Sequence, residues 1–241
     1  MAHAGIGHSV EGIHAVEAAL GAGRVVKLIV EEGRLGRLAN LVRQAGAAGI
    51  AIRKVRDIRD LASTQSPQGV IAECRPVATK SIDELAAHDL PALVVIDHIE
   101  DPHNVGAIAR SAAAAGMTGM VVADVRAAPV EATAFKTSAG ALERLPVALV
   151  ASIPQALKRL RDKGVWIVGL AAGAAEPLFG MGLLTEPVAV VIGSEERGLS
   201  ELTEKRCDLV ASIPMTAESE SLNASVAAAL ACFEVHRARR M

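Results

Sequence analysis

Six short runs in the second part of the chain, 92–96, 119–122, 147–149, 165–170, 188–192 and 208–213, are almost wholly apolar, and helical patterns separate them. A strand with one wet face alternates polar and apolar residues. A strand without that alternation must be covered on both faces, which is the condition of a parallel sheet with helical crossovers. The fold class expected is therefore α/β. In such sheets ligands collect beyond the carboxyl ends of the strands, so the loops after these runs are where chemistry is sought. With 241 residues, 51% of them hydrophobic, the chain can fill one large core and a smaller one.

The first part reads differently. Val10, Ile13, Val16 and Leu20 recur at helical spacing, and Gly21 and Gly23 end that helix. A strand follows at 25–30, then an amphipathic helix on Leu35, Leu38, Leu41 and Val42 stopped by Gly46 and Gly49, then a strand at 50–55. A short helix at 57–62 and a strand at 69–74 complete a small α/β unit, placed at 1–75. Pro76 and Pro91 bracket a polar stretch with one brief helical candidate at 82–87, so 76–91 is expected to be a linker and 92–241 the second domain.

No apolar run reaches the ~20 residues of a membrane span, and the polar start, residues 1–11, lacks the layout of a signal peptide, so a cytoplasmic location and no membrane partner are expected. Cys74, Cys207 and Cys232 stand far apart and read as small buried thiols. The histidines form no pair at metal-ligand spacing, and no metal is expected. A net charge of −2 argues against coating nucleic acid with bulk positive charge. Any RNA contact must use local patches: Arg34, Arg37 and Arg43; Arg53, Lys54, Arg56 and Arg59; Lys158, Arg159, Arg161 and Lys163; or Arg237, Arg239 and Arg240. Each of these can equally be a solvated face.

Three strand-end loops stand out. The first, from Asp97, runs into a helix expected near Val105, which Asn104 is suited to cap. Arg110 follows in an alanine-rich helix, either snorkelling to water or meeting an anion. In the second, Gly193-Ser194-Glu195-Glu196-Arg197-Gly198, Gly193 would let a flat ligand approach the backbone and Gly198 permits a positive φ. It is neither a Walker loop nor a dinucleotide fingerprint, and an ordinary turn would explain it as well. The third leaves its strand at Pro214 and carries Ser221 and Asn223 at the start of a long apolar helix, where capping is the plain explanation.

Taken in order, Asp101-Pro102-His103-Asn104-Val105-Gly106 with Arg110, Gly193-x-Glu195-x-x-Gly198, and Ile213-Pro214-Met215 with Ser221-Leu222-Asn223-x-Ser225-Val226-Ala227 resemble the three signature motifs of one family. It is the SpoU, or TrmH, family of RNA ribose 2′-O-methyltransferases, of the knotted SPOUT class. The resemblance runs from Leu93 to the C-terminus and includes Lys136-Thr137-Ser138-Ala139-Gly140-Ala141 and Glu143. The first unit, with Gly12-Ile13-His14-Ala15-Val16-Glu17-Ala18, resembles the L30e-like RNA-binding domain of the bacterial 23S ribosomal-RNA guanosine branch. One departure lies at Ser66-Pro67-Gln68-Gly69, where that branch usually has His before Gln-Gly.

The resemblance implies a deep trefoil knot in the C-terminal part, a homodimer with the active site near the subunit interface, and S-adenosylmethionine as methyl donor. Structured RNA would be the substrate, ribosomal RNA before transfer RNA because of the extra N-terminal domain. Leu170, Gly193, Ile213 and Leu222 would bind the donor. Arg110 would meet the ribose hydroxyl, and since arginine stays protonated in proteins, an electrostatic role at the developing alkoxide suits it better than that of a base. Asn104, Glu195, Ser221 and Asn223 would position Arg110, the donor or the target nucleotide. The alternatives are a transfer-RNA ribose methyltransferase, a non-catalytic RNA-binding protein of the same fold, or an α/β enzyme with another nucleotide cofactor.

Overall fold

The computed structural model describes residues 5–124, 130–216 and 221–240. The elements in order are β1 (Ser9–Glu11), α1 (Ile13–Gly21), β2 (Val25–Glu31), α2 (Ala39–Ala47), β3 (Ala51–Val55), β4 (Val70–Cys74), α3 (Ile82–Ala86), β5 (Ala92–Ile96), α4 (Pro102–Ala114), β6 (Gly119–Ala123), α5 (Ala132–Thr137), β7 (Val147–Val150), α6 (Ile153–Arg161), β8 (Trp166–Leu170), β9 (Glu176–Pro177), β10 (Val188–Ile192), α7 (Glu201–Glu204), β11 (Leu209–Ser212) and α8 (Ala224–Ala238). The helix expected at 57–62 is only a 3-10 turn, Arg59–Leu61.

The second part is the expected parallel sheet, in the order β7-β6-β5-β10-β8-β11-β9. Its wholly apolar strands are buried on both faces. Val94 and Ile96 of β5 enter one core with α4 and α8, while Leu93 and Val95 enter another with α3 and α6. Because side chains alternate along a strand, a polar residue at any of these positions would have faced an apolar layer. Helix α8 follows β11 yet packs back against α4, β5 and β10. No helix of the described residues is long and apolar enough to cross a membrane.

The first part is a mixed sheet, β1-β4-β2-β3, antiparallel except for the β2/β3 pair. Its β1 holds Val10, which the helical spacing places on the face of the first helix; α1 begins only at Ile13, and a three-residue strand is too short to show a period of its own. The stretch 76–91 is ordered structure rather than open chain. Val77 bridges to Ile6, Lys80 N donates to Val147 O at 2.8 Å, and α3 begins with a Ser81/Glu84 capping box. Ile82 and Leu85 are buried in the second core.

The two sheets share one continuous apolar cluster, which holds Val16 and Leu28 together with Val94 and Ile108. At the junction Arg24 donates through Nε and Nη2 to the two carboxylate oxygens of Glu143, both at 2.6 Å, and through Nη1 to the carbonyls of Gly7 and Arg75. The guanidinium lies 5.1 Å from the Phe135 ring centroid. Gly7 has φ +71° and a β-carbon there would stand 2.4 Å from the same ring, so the chain can pass Phe135 at this point only as glycine.

The cysteines are free thiols. Cys232 is buried as expected, and Cys74 and Cys207 are half-buried; desolvation pushes the first up to about 12, Cys74 to about 11 and Cys207 to about 12.

Candidate functional site

The loops after β5, β10 and β11 converge, as the sheet order requires for two neighbouring strands and one strand beyond β8. Helix α4 starts earlier than its sequence suggests. Asp101 is the cap, its Oδ1 accepting from His103 N at 2.8 Å, and Pro102 occupies the first turn, where a missing N–H is harmless. Asn104 is therefore not the cap. Freed of that duty, its side chain reaches out of the first turn.

It reaches Glu195. Asn104 Nδ2 donates to Glu195 Oε1 at 2.9 Å, Ala224 N donates to the same oxygen at 3.2 Å, and Asn223 Nδ2 donates to it as well. Asn223 Nδ2 also approaches Asn104 Oδ1 at 3.2 Å. Asn223 is the cap of α8, its Oδ1 accepting from Ser225 N at 2.9 Å, so the capping role expected there falls to Asn223 and not to Ser221. One carboxylate oxygen thus ties the three loops together.

Gly193 is required for a reason other than ligand approach. A β-carbon at this position would lie 2.1 Å from the carbonyl carbon of Gly198, so the space is taken by the loop's own return. Ser194 and Gly198 exchange main-chain hydrogen bonds of 3.0 and 2.9 Å, and Gly198 has φ +64°. The result is a tight hairpin whose tip carries Glu195 to Arg197.

Leu170, Gly193, Ile213 and Leu222, far apart in sequence, line one cavity together with Glu195 and Ser221. A second cavity of about 430 Å³ adjoins it, sharing Ser194, Glu195, Gly198 and Ala224, and adds Asn104, His98 and Glu100. The first is walled largely by apolar side chains at the ends of parallel strands; the second is polar. A flat heterocycle fits the first, and Glu195 sets a negative charge where the two meet. Residues 217–220 of the third loop lie outside the described residues. Among the described residues no cluster of metal-ligating side chains occurs.

Arg110 is the one expected site residue that stands apart. It lines neither cavity, is exposed, and makes no hydrogen bond or ion pair among the described residues. Six residues on a helix amount to a turn of about 600°, which leaves Arg110 about 120° round the axis from Asn104. Close by in sequence to the third loop, Val226, Leu230 and Phe233 expose an apolar stripe on α8, at 46, 37 and 48%.

Two groups were missed by the sequence reading. The first is Asp97, fully buried at the end of β5, with His98 beside it; the signal was a carboxylate directly after an apolar strand. The second is Glu11, also fully buried, which accepts from Ser63 N, Thr64 N and Thr64 Oγ1 at 2.6, 3.0 and 2.5 Å and pins the 63–69 loop. Gln68, where the family motif departs one residue earlier, has φ +58° and accepts from Ile13 N through Oε1 at 2.9 Å.

The basic patches sort themselves by partner. Lys158, Arg159 and Arg161 pair with Asp162, Asp83 and Asp208, Arg237 pairs with Glu234, and Arg239 binds main-chain carbonyls. Arg59 is held by Asp57 and Arg34 by Glu31. Arg37, Arg53, Lys54 and Arg56 are exposed without such partners among the described residues.

Comparison with known proteins follows the same division. Residues 91–233 match the SpoU rRNA Methylase family, and residues 9–80 match the RNA 2′-O ribose methyltransferase substrate binding family. A Synechocystis protein named as a tRNA/rRNA methyltransferase is 44% identical over 177 residues, which is 71% of this chain and 46% of the relative. A Bacillus subtilis protein named as a TrmH family tRNA/rRNA methyltransferase is 38% identical over 71% of each chain. The chain spans about half the length of the first curated relatives it matches, 46 and 57%. Among solved structures, the SpoU methyltransferase AviRb from Streptomyces viridochromogenes with AdoMet bound superposes with a TM-score of 0.81 at 26% identity, over 96% of this chain and 90% of that one. An RNA 2′-O ribose methyltransferase superposes with a TM-score of 0.76 at 27% identity, over 97 and 89%.

Proposed function

The chain belongs to the SpoU rRNA methylase family, and from that premise we propose that it transfers a methyl group from S-adenosylmethionine to a ribose 2′-hydroxyl of structured RNA, with a guanosine of 23S ribosomal RNA as the target. The observation that carries this reading is the Asn104–Glu195–Asn223 cluster, which joins the three motif loops around an apolar cavity beside a polar one. The donor supplies an activated methyl group on a sulfonium. Leu170, Ile213 and Leu222 give its adenosine an apolar seat, and Gly193 keeps the hairpin tight enough to close that seat. Ser221 lies in the same wall. Asn104, Glu195 and Asn223 act as positioning residues.

Methyl transfer builds negative charge on the attacking oxygen, and a fixed cation near that oxygen lowers the barrier. Arg110 has the right chemistry for this but the wrong place within one chain. We therefore assign it to the site of a second copy: the active enzyme is a homodimer in which Arg110 of the partner subunit faces the polar cavity. Exposed Arg110 and the Val226/Leu230/Phe233 stripe support this. Return of α8 from β11 to the middle of the sheet supports a knotted C-terminal segment. The first unit, proposed as residues 1–75 with 76–91 joining it to the catalytic domain at 92–241, binds RNA; its match to a substrate-binding family supports that role.

The test is transfer of labelled methyl groups to ribosomal and transfer RNA from cells lacking the gene, followed by mapping of ribose methylation. One new 2′-O-methyl site in 23S RNA is expected. Label in transfer RNA alone would replace the ribosomal assignment, and label on bases would overturn the ribose chemistry.

A further inference from the structure

Resting on that reading, the reaction leaves one proton without a destination. The O2′–H proton must be lost as the oxygen takes the methyl group, and Arg110, already protonated, cannot accept it. Glu195 Oε1 is saturated by three donors, and a carboxylate, with a reference value near 4, is a weak base at neutral pH. The polar cavity contains one imidazole, that of His98.

Its setting is built. Asp97 ends β5 with its carboxylate fully buried; Oδ2 accepts from Ser200 N at 2.9 Å, and Oδ1 lies 2.7 Å from His98 Nδ1. An ionised carboxylate can only accept, so Nδ1 must carry the proton of this bond and Nε2 is left as the acceptor. His98 adopts φ +56°, a left-handed conformation that non-glycine residues seldom take. A structural tie from Asp97 to Ser200 would not need it. The ring is half-exposed, at 51%, and borders the cavity that also holds Asn104 and Glu195.

We propose that His98, oriented by the buried carboxylate of Asp97, is the proton acceptor for the 2′-hydroxyl in methyl transfer. O2′ forms the new O–CH3 bond, the S–CH3 bond breaks with its electron pair kept by sulfur, and the O2′ proton passes to Nε2. The resulting imidazolium is stabilised by Asp97 and returns its proton to water through its exposed edge. The charged groups facing it are Asp97, Glu100 and Asp101 on its own loop and Glu195, Glu196 and Arg197 on the hairpin opposite.

The deciding variants are His98→Asn and His98→Gly, both compatible with a positive φ, so that folding is preserved. Single-turnover methyl transfer should fall by about 10²-fold or more, the rise of rate with pH through the imidazole range should vanish, and imidazole added to His98→Gly should restore part of the rate. Donor affinity by calorimetry should be unchanged. Independently of turnover, nitrogen NMR of the wild type should show His98 as the Nδ1–H tautomer, a state lost in Asp97→Asn. Wild-type rate and pH profile in His98→Asn, or an Nε2–H tautomer in the wild type, would overturn the role of His98 alone. A wild-type protein that methylates no ribose in any RNA would overturn the reading on which that role rests.

Discussion

A single carboxylate oxygen, Glu195 Oε1, decides how the site is assembled, because it accepts from both asparagines and from the main chain of α8. This arrangement explains why Asn104 sits within the first turn of its helix instead of capping it. Arg110, proposed for the site, is the opposite case, a side chain without local ties. Its replacement by alanine should lower methyl transfer by about 10²–10³-fold, the usual effect of removing one group that stabilises a developing oxyanion. Donor affinity should stay within about two-fold, since Arg110 borders neither cavity of its own chain. Single-turnover assays and calorimetric titration check this; loss of donor binding with normal turnover would place Arg110 at the donor. The residues of the motifs could be read from the sequence because their types and order are specific. Their contacts could not, since Asn104 and Glu195 are 91 positions apart and no period links them. Asp97–His98 was hidden for another reason: its meaning depends on burial, which a lone strand-end aspartate does not reveal.

At the scale of elements, the apolar runs translated directly into strands, because burial on both faces leaves a local trace in every residue. Short or edge elements left little. β1 and β9 are three and two residues long, and β3 has an exposed, polar surface. Edge position also changes the meaning of the basic run at 53–59. Arg53 and Lys54 are adjacent on β3 and point to opposite faces of the sheet, and Arg59 is occupied by Asp57. The free cations flank the edge rather than form a compact cluster. Neutralising Arg53, Lys54 and Arg56 together should weaken RNA binding and flatten its salt dependence, by about 0.7–0.9 in the logarithmic slope for each phosphate that is no longer neutralised. Affinity measured over a salt series decides it, and superimposable curves would make these residues bystanders.

Helix α8 carries a second prediction at this scale. Glu234 is buried, accepts from Gly180 N at 2.7 Å and is paired with Arg237, whose guanidinium first and the Gly180 N–H second hold its carboxyl below the usual range. A carboxyl lowered in the folded state contributes stability that is present above its unfolded value, about 4.3, and is lost as pH falls through the lower folded value. Glu234→Gln should therefore reduce melting temperature at pH 7 and narrow the difference from wild type as pH falls below about 4. Melting curves over that range test it; a constant difference would show that the ionised form contributes nothing.

For the molecule as a whole, two units foreseen as separate domains are joined more firmly than a linker implies. Composition showed a polar stretch at 76–91, but its proline and charge content could not show that Val77, Ile82 and Leu85 are docked. The junction is centred on Arg24 and Glu143, side chains only 8 and 2% exposed, 119 positions apart. Two charges so placed need each other: removing one leaves the other desolvated and unpaired, at a cost of about 3–5 kcal/mol. Glu143→Ala should lower the stability in urea by about that amount, whereas Arg24→Met combined with Glu143→Leu should recover part of it. Recovery stays partial because the carbonyls of Gly7 and Arg75 lose their donor in the double variant. If Glu143→Ala unfolds at the wild-type midpoint, the ion pair is not what couples the units, and the Phe135 contact with Gly7 becomes the element to remove next. If it unfolds in two steps instead of one, the first unit separates before the parallel sheet does, and the buried pair is what holds the two together.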